Sequence, residues 1–207
     1  MKAILFSSLA LAALCVGATA VRHTSDKAAI GEVTPSWSVT DTTGKTEEIS
    51  AYRGKYVVLE WTNPDCPFVL KHYNSGNMQK VQKEAEAMGA VWLSIDSSSQ
   101  GNPGYRTADQ MNKLRADWKI KSTATILDPN GKLGLIYSAK NTPQCVILDP
   151  KGVMIYNGAI DDNSGAEGAE IAKSKNYVLT NLKLAIEGKP LEESTTRPYG
   201  CGIHYSH

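Results

Sequence analysis

The chain has 207 residues, with 22 Lys and Arg against 21 Asp and Glu. That balance excludes the Lys/Arg excess with which nucleic-acid binders neutralise phosphates, and a 42% hydrophobic content excludes a disordered or collagen-like chain. Four cysteines are too few for a miniature disulfide-held scaffold, so cysteine chemistry belongs to particular positions in a domain large enough to bury a core.

Lys2 is followed by an apolar run from Ala3 to Gly17 and then Ala18-Thr19-Ala20. A positive start, a short apolar core and an A-x-A ending predict a secretory signal peptide over residues 1–20. The run is shorter than the ~20 residues that span a bilayer, so no stable membrane span is expected after cleavage. Bulky Leu14 does not suit a lipid-modified Cys15. The expected product is exported, to a periplasmic or extracellular space. Cleavage leaves 21 charges of each sign and three cysteines, and an odd number in an exported protein implies an unpaired thiol or an intermolecular link.

Residues 21–30 read as a polar, loose segment. From Gly31 the chain suits a hairpin through Trp37 to Ser50, with Thr43-Gly44 as its turn. Tyr56 to Trp61 is an apolar, β-rich run and a buried strand. Pro67 opens a helix, the favoured place for proline, which Ser75-Gly76 breaks or kinks. Met78, Val81, Ala85 and Met88 then form one helical face that Gly89 ends. Val91 to Ile95 is the next strand, and Ser97 to Gly104 a loop. Thr107 caps a helix carrying Met111, Leu114 and Trp118. Ala124 to Leu127 is a third strand, closed by Asp128-Pro129-Asn130-Gly131. Gln144 to Leu148 and Val153 to Asn157 make a hairpin about Asp149-Pro150-Lys151-Gly152. A loop over Asp161 to Lys175 precedes a last core helix with Val178, Leu179, Leu182 and Ile186. This order predicts one α/β domain over 31–190 with a mixed central sheet flanked by helices, an N-terminal hairpin extension, and a tail over 191–207.

The sharpest chemical signal is Thr62-Asn63-Pro64-Asp65-Cys66-Pro67-Phe68. Cys66 stands between a buried strand and a helix that starts at Pro67. Unpaired N–H groups and the partial positive charge of a helix start favour thiolate, the reactive form. Asp65 opposes this with a negative charge alongside. Glu60 interrupts an otherwise apolar strand, which reads either as a buried carboxylate with a purpose or as an edge position facing water. Cys145 lies two residues after Pro143, so strand alternation puts both on one face. Cys201 sits between Gly200 and Gly202, where the backbone bends freely.

These motifs resemble those of the thioredoxin-like redoxins, in the peroxiredoxin-like branch of the alkyl hydroperoxide reductase/thiol-specific antioxidant (AhpC/TSA) family. The resemblance spans roughly residues 29–188. It rests on Gly31, Pro35-Ser36-Trp37, Gly44-Lys45, Tyr52-Arg53-Gly54-Lys55, the Val57 to Cys66 strand and turn, Thr142-Pro143 and Asp149-Pro150-Lys151-Gly152. It implies a thioredoxin-like fold and a thiol oxidoreductase or peroxidase. Cys66 would be the reactive thiolate, Glu60 a buried acid assisting proton transfer, and Asn63 and Pro67 the thiolate's surroundings. Thr142-Pro143 would be the loop whose proline is cis in the family. The tail resembles a Gly-Cys-x-x-[K/H]-Tyr ending of the same branch, which makes Cys201 the favoured resolving thiol and Cys145 the alternative. Bridged Cα atoms must lie within ~7 Å.

The departures bear on the reaction. Val69 replaces the second cysteine of Cys-x-x-Cys, and Leu70 that of the copper-handling C-x-x-x-C. Leu59 and Asn63 replace the proline and hydroxyl residue of the peroxidatic P-x-x-x-[T/S]-x-x-C. Cys201-x-x-His204 is half a metal site without a second ligand pair, so no metal and no organic cofactor are expected. His72 falls on the helix beyond Cys66, while Lys71 and Arg197 read as solvated surface charges. The expected partner is a hydroperoxide or a thiol or disulfide redox protein. A non-catalytic binding protein or a copper carrier on the same fold is the alternative.

Overall fold

The computed structural model describes residues 26–205; the expected signal peptide and His207 lie outside them. Strands β1 (Ser38–Thr40) and β2 (Thr46–Glu48) form the expected antiparallel hairpin. Its turn is held by Asp41, whose Oδ1 accepts from the N–H groups of Thr43 and Lys45. β3 (Val57–Trp61) leads through the Cys66 turn into α1 (Pro67–Asn74) and α2 (Asn77–Ala87). The two helices part at Gly76, whose φ of 76° is left-handed and unfavourable for other residues. β4 (Val91–Asp96) follows, then α3 (Ala108–Asp117), opened by a capping box in which Thr107 and Gln110 bond each other's backbone. β5 (Ala124–Leu127) is followed by α4 (Lys132–Ile136), a short helix the sequence pattern did not indicate. β6 (Asn141–Thr142), β7 (Gln144–Leu148), β8 (Met154–Gly158), α5 (Tyr177–Ile186) and β9 (Cys201–Gly202) complete the order.

The central sheet runs β5-β4-β3-β7-β8. β5, β4 and β3 are parallel, while β7 is antiparallel to β3 and β8 to β7. Every residue of β3 is buried because both faces of the sheet are covered. Val57, Leu59 and Trp61 pack with Trp37, Ile49, Leu133 and Tyr137 on one face. Val58 packs on the other face with Val69 and Tyr73 of α1, Met78 and Val81 of α2, and Val178 and Leu182 of α5. Ile186 departs from the expected core set: it lies at the last residue of α5 and is 42% exposed.

Both flanks of the sheet are covered. Thr42 N–H donates to Thr125 O beside β5. Along β8, Met154 N–H donates to Glu32 O and Asn157 N–H to Ser194 O. The packed chain begins before Gly31, since Ala28 N–H donates to Ile136 O and Ile30 bridges Met154.

The tail, which lacks a period in the sequence, is strapped across the tips of the strands. Thr196 Oγ1 bonds Tyr156 Oη and accepts from Ala159 N–H. β9 pairs antiparallel with β6, setting Cys201 opposite Thr142. Ile203 N–H donates to Lys140 O, and His204 O accepts from both the N–H and the hydroxyl of Ser99. Tyr205 ends the strap by donating to Ala139 O, with its ring over Gly131 and Gly134. A Cβ at Gly134 would stand 2.2 Å from that tyrosine's oxygen, so these glycines shape the slot.

Candidate active site

Cys66 is the N-cap residue of α1, with Pro67 in the first turn. Its carbonyl accepts from the N–H groups of Val69 and Leu70, and its own N–H donates to Asn63 O. The strand-to-helix turn therefore closes around the cysteine. The Cys66 thiol is 1% exposed and donates to Thr142 O at 3.1 Å. The Thr142-Pro143 peptide is cis, as the resemblance implied.

The tail brings the second thiol. Cys201, partly exposed, faces Thr142 across the β6–β9 pair and packs against the same hydrophobic cluster as Cys66, whose thiol bonds the Thr142 carbonyl. Burial pushes the Cys66 thiol up, but the Cys201 side chain, Thr142 and the backbone N–H groups of Cys201 and Val69 outweigh it, leaving Cys66 below its ordinary value. Cys201 moves the other way: burial and then the Cys66 thiol push it up to about 12. One thiol of the pair is thus the readier thiolate.

Gly200 allows this approach. Its φ is 101°, and a Cβ there would stand 2.0 Å from Thr142 O. Just upstream, Tyr199 donates to Asp161 and accepts from His72 Nε2 at 3.0 Å, which leaves His72 Nδ1 to accept from Asn77. Burial and then the Lys71 charge bring His72 down to about 3, so the ring is neutral. The ring of Tyr199 packs against Phe68 and under the Lys71 ammonium, 4.7 Å from the ring centre.

Lys71 corrects the expectation of a solvated charge. It is 5% exposed, and its ammonium donates to Asn163 O at 2.5 Å and Gly165 O at 2.6 Å. The carbonyls of the loop after β8 replace its water. Asp65, expected to oppose the thiolate, is paired with Arg106 at 2.5 Å and accepts from Gly104 N–H. The Arg106 guanidinium beside it, against the opposing effect of burial, holds the Asp65 carboxyl below its usual range.

Asn63 serves the turn rather than the thiol. Its Oδ1 accepts from Asp65 N–H, and its Nδ2 donates to Ser98 Oγ and Pro103 O. Gly104 makes room for it: a Cβ there would lie 2.4 Å from the Asn63 amide nitrogen. Glu60 is wholly buried, which removes the water-facing alternative. Tyr73, Trp92, Ser94 and Gln82 all donate to its carboxylate. Burial nevertheless pushes its pKa up against those four bonds. Cys145 lies opposite Glu60 in the β3–β7 register, and burial followed by the charges of Glu60 and Asp161 raises its thiol well above the ordinary range.

Cys66, Cys145 and Cys201 are all free thiols. The structure thus brings Cys66, Thr142, Pro143 and Cys201 together, and holds Glu60 in its own polar cage. Sequence reasoning did not single out Tyr199, Arg106 or Asp161, and reached Tyr205 only through the resemblance of the Gly-Cys-x-x-[K/H]-Tyr ending. The only signal for Tyr199 was an aromatic residue just before Gly200-Cys201-Gly202. No group of three or more His, Cys, Asp or Glu side chains suited to a metal occurs among the described residues. Nor does any helix among them have the length and apolarity to cross a membrane.

No curated protein matches the sequence. Among solved structures, an uncharacterized conserved protein of Geobacillus kaustophilus is similar, with a TM-score of 0.76, 19% identity and coverage of 86% of this chain and 93% of that one. A hypothetical protein of Sinorhizobium meliloti 1021 gives a TM-score of 0.71 at 15% identity, covering 86% and 95%. The thioredoxin domain of a thiol-disulfide oxidoreductase from Bacteroides vulgatus gives 0.50 at 16% identity, covering 70% and 96%. At these identities the likeness is one of fold, and the fold is thioredoxin-like with an N-terminal hairpin. The AhpC/TSA family model matches residues 30–157, most of the sheet and the whole Cys66 turn, and the chain belongs to that family.

Proposed function

We propose that the protein is an exported thiol oxidoreductase whose redox pair is Cys66 and Cys201. The single observation that carries this reading is the β6–β9 pair, which sets Cys201 opposite Thr142, the residue whose carbonyl the Cys66 thiol bonds at the start of α1. The oxidant best suited to the site is a hydroperoxide, because a thiol 1% exposed admits a small molecule more readily than a folded protein's disulfide.

In the first step the Cys66 thiolate attacks the outer peroxide oxygen. The O–O bond breaks, an alcohol or water leaves with a proton, and Cys66 becomes a sulfenic acid. Cys201 then attacks the sulfenic sulfur, water leaves, and a Cys66–Cys201 disulfide forms. An external thiol restores the pair. Export is supported by the leader-like residues 1–20.

The test is turnover of hydrogen peroxide and of a disulfide substrate by the wild type and Cys66→Ser, with the bridge mapped by mass spectrometry. Loss of turnover and a Cys66–Cys201 peptide pair are expected. Unchanged turnover removes Cys66 from the mechanism and favours a non-catalytic binding protein, whereas stoichiometric copper uptake lost in Cys66→Ser favours a metal carrier.

A further inference from the structure

A cleft of about 690 Å³, open to solvent, lies between the loop after β8, the start of α5 and the tail, with Tyr177 and Tyr199 in its wall. The wall also carries three carboxylates, Asp161, Asp162 and Glu193, and one guanidinium, Arg197. Carboxylates at a wet rim are commonplace, but Asp161 is 2% exposed. Its Oδ1 accepts from the Tyr199 hydroxyl and from Asn163 N–H. Its Oδ2 receives no hydrogen bond among the described residues. The closest basic nitrogen, His72 Nε2, is 3.9 Å away, and that neutral ring spends its Nε2 hydrogen on Tyr199. The Lys71 ammonium is turned instead to Asn163 O and Gly165 O.

Half of a buried carboxylate is therefore left to the cleft. Burial pushes Asp161 above its ordinary value, against the Tyr199 bond and the Lys71 charge, as expected of a carboxylate short of donors. Such a group gains more from an incoming cation than a hydrated one does. The rim adds to the attraction. Glu193 is exposed, and the nearby Lys175 pairs with Glu192. Asp162, also exposed, accepts only a backbone N–H, that of Lys175.

We propose that this cleft binds an aliphatic diammonium ion, with one ammonium donating to Asp161 Oδ2 and the other held by the rim carboxylates of Asp162 and Glu193. The size agrees, since clefts of roughly 300–1,000 Å³ house small molecules. Arg197 repels such a guest and limits its affinity. The site uses neither Cys66 nor Cys201, so it stands apart from the redox reading above.

The test is titration calorimetry of the full chain with putrescine at neutral pH and low salt, and with calcium chloride in a separate arm. Saturable binding of putrescine at one site is expected, with none of calcium. Asp161→Asn keeps an oxygen for Tyr199 and Asn163 but loses the charge, and should weaken binding by about tenfold or more. Glu193→Gln, at an exposed position, should weaken it by about threefold, and Arg197→Ala should tighten it by about as much. The exposed pair keeps the proposal testable if Asp161→Asn fails to fold, which a thermal melt reads. Absence of putrescine binding overturns the proposal, as does an affinity unchanged in all three variants. Calcium binding that is lost in Asp161→Asn or Glu193→Gln also overturns it, by assigning the cleft to an inorganic cation.

Discussion

Cys66 and Cys145 are two thiols of the same hydrophobic cluster, 1% and 0% exposed, yet they are tuned in opposite directions. Cys145 lies within β7, between β3 and β8 and opposite Glu60, so desolvation and a nearby carboxylate push its thiol well up. Cys66 suffers the same desolvation but lies in the turn after β3 and caps a helix, where N–H groups and a second thiol act on it. Burial alone makes a cysteine inert; burial among unspent donors makes it a candidate nucleophile.

The largest effect that would break this contrast is on turnover. Cys66→Ser is expected to lower peroxide turnover by on the order of 10³-fold or more. Cys145→Ala should leave turnover within about twofold and cost about 1 kcal/mol through lost packing, read by kinetics and chemical denaturation. Equal losses from both would erase the distinction. Gly200→Ala tests the donor that arrives from the tail. Its new Cβ would strike Thr142 O at a left-handed φ, so a destabilisation above about 1 kcal/mol should accompany slower formation of the Cys66–Cys201 bridge, followed by timed alkylation.

Asp96 sharpens the comparison from the carboxylate side. It is 2% exposed with one oxygen unpartnered, and burial, only partly offset by its bonds with Ser98 and by the Arg106 charge, pushes it up to about 6. The folded state then keeps a proton that the unfolded chain has lost, so this group's contribution declines as pH rises from its ordinary 3.8 through about 6, by up to about 3 kcal/mol. Denaturation of Asp96→Asn between pH 4 and 7.5 should show that decline flattened. A slope unchanged from wild type would assign it to another group. The smallest effect is expected from Tyr205→Phe, which removes one hydroxyl bond to Ala139 O and should cost about 1 kcal/mol in a thermal melt without altering the acidity of Cys145.

Much of this was legible before any coordinates. The helix break at Ser75-Gly76, the Thr107 cap and the strand-turn-helix around Cys66 follow from local rules that tertiary packing did not override. α4 escaped because five residues cannot display a period and Gly134 lies within them. The tail's contacts escaped for a different reason: Tyr199, Ile203 and Tyr205 are held by partners 38 to 127 residues away, with nothing local to announce the pairing. Lys71 was misread because a lysine in a last helical turn is ordinarily hydrated, and only the fold reveals the two loop carbonyls that replace water. Glu60 stood out correctly as an anomaly in its strand, but its four donors come from α1, α2 and β4, which no single stretch of sequence displays.

The covered flanks of the central sheet have a consequence for association. With Thr42 beside β5 and with Glu32 and Ser194 bonded along β8, the sheet offers little of the bare edge through which strands of separate molecules zip together. A visiting strand is therefore turned away from lateral pairing along the central sheet.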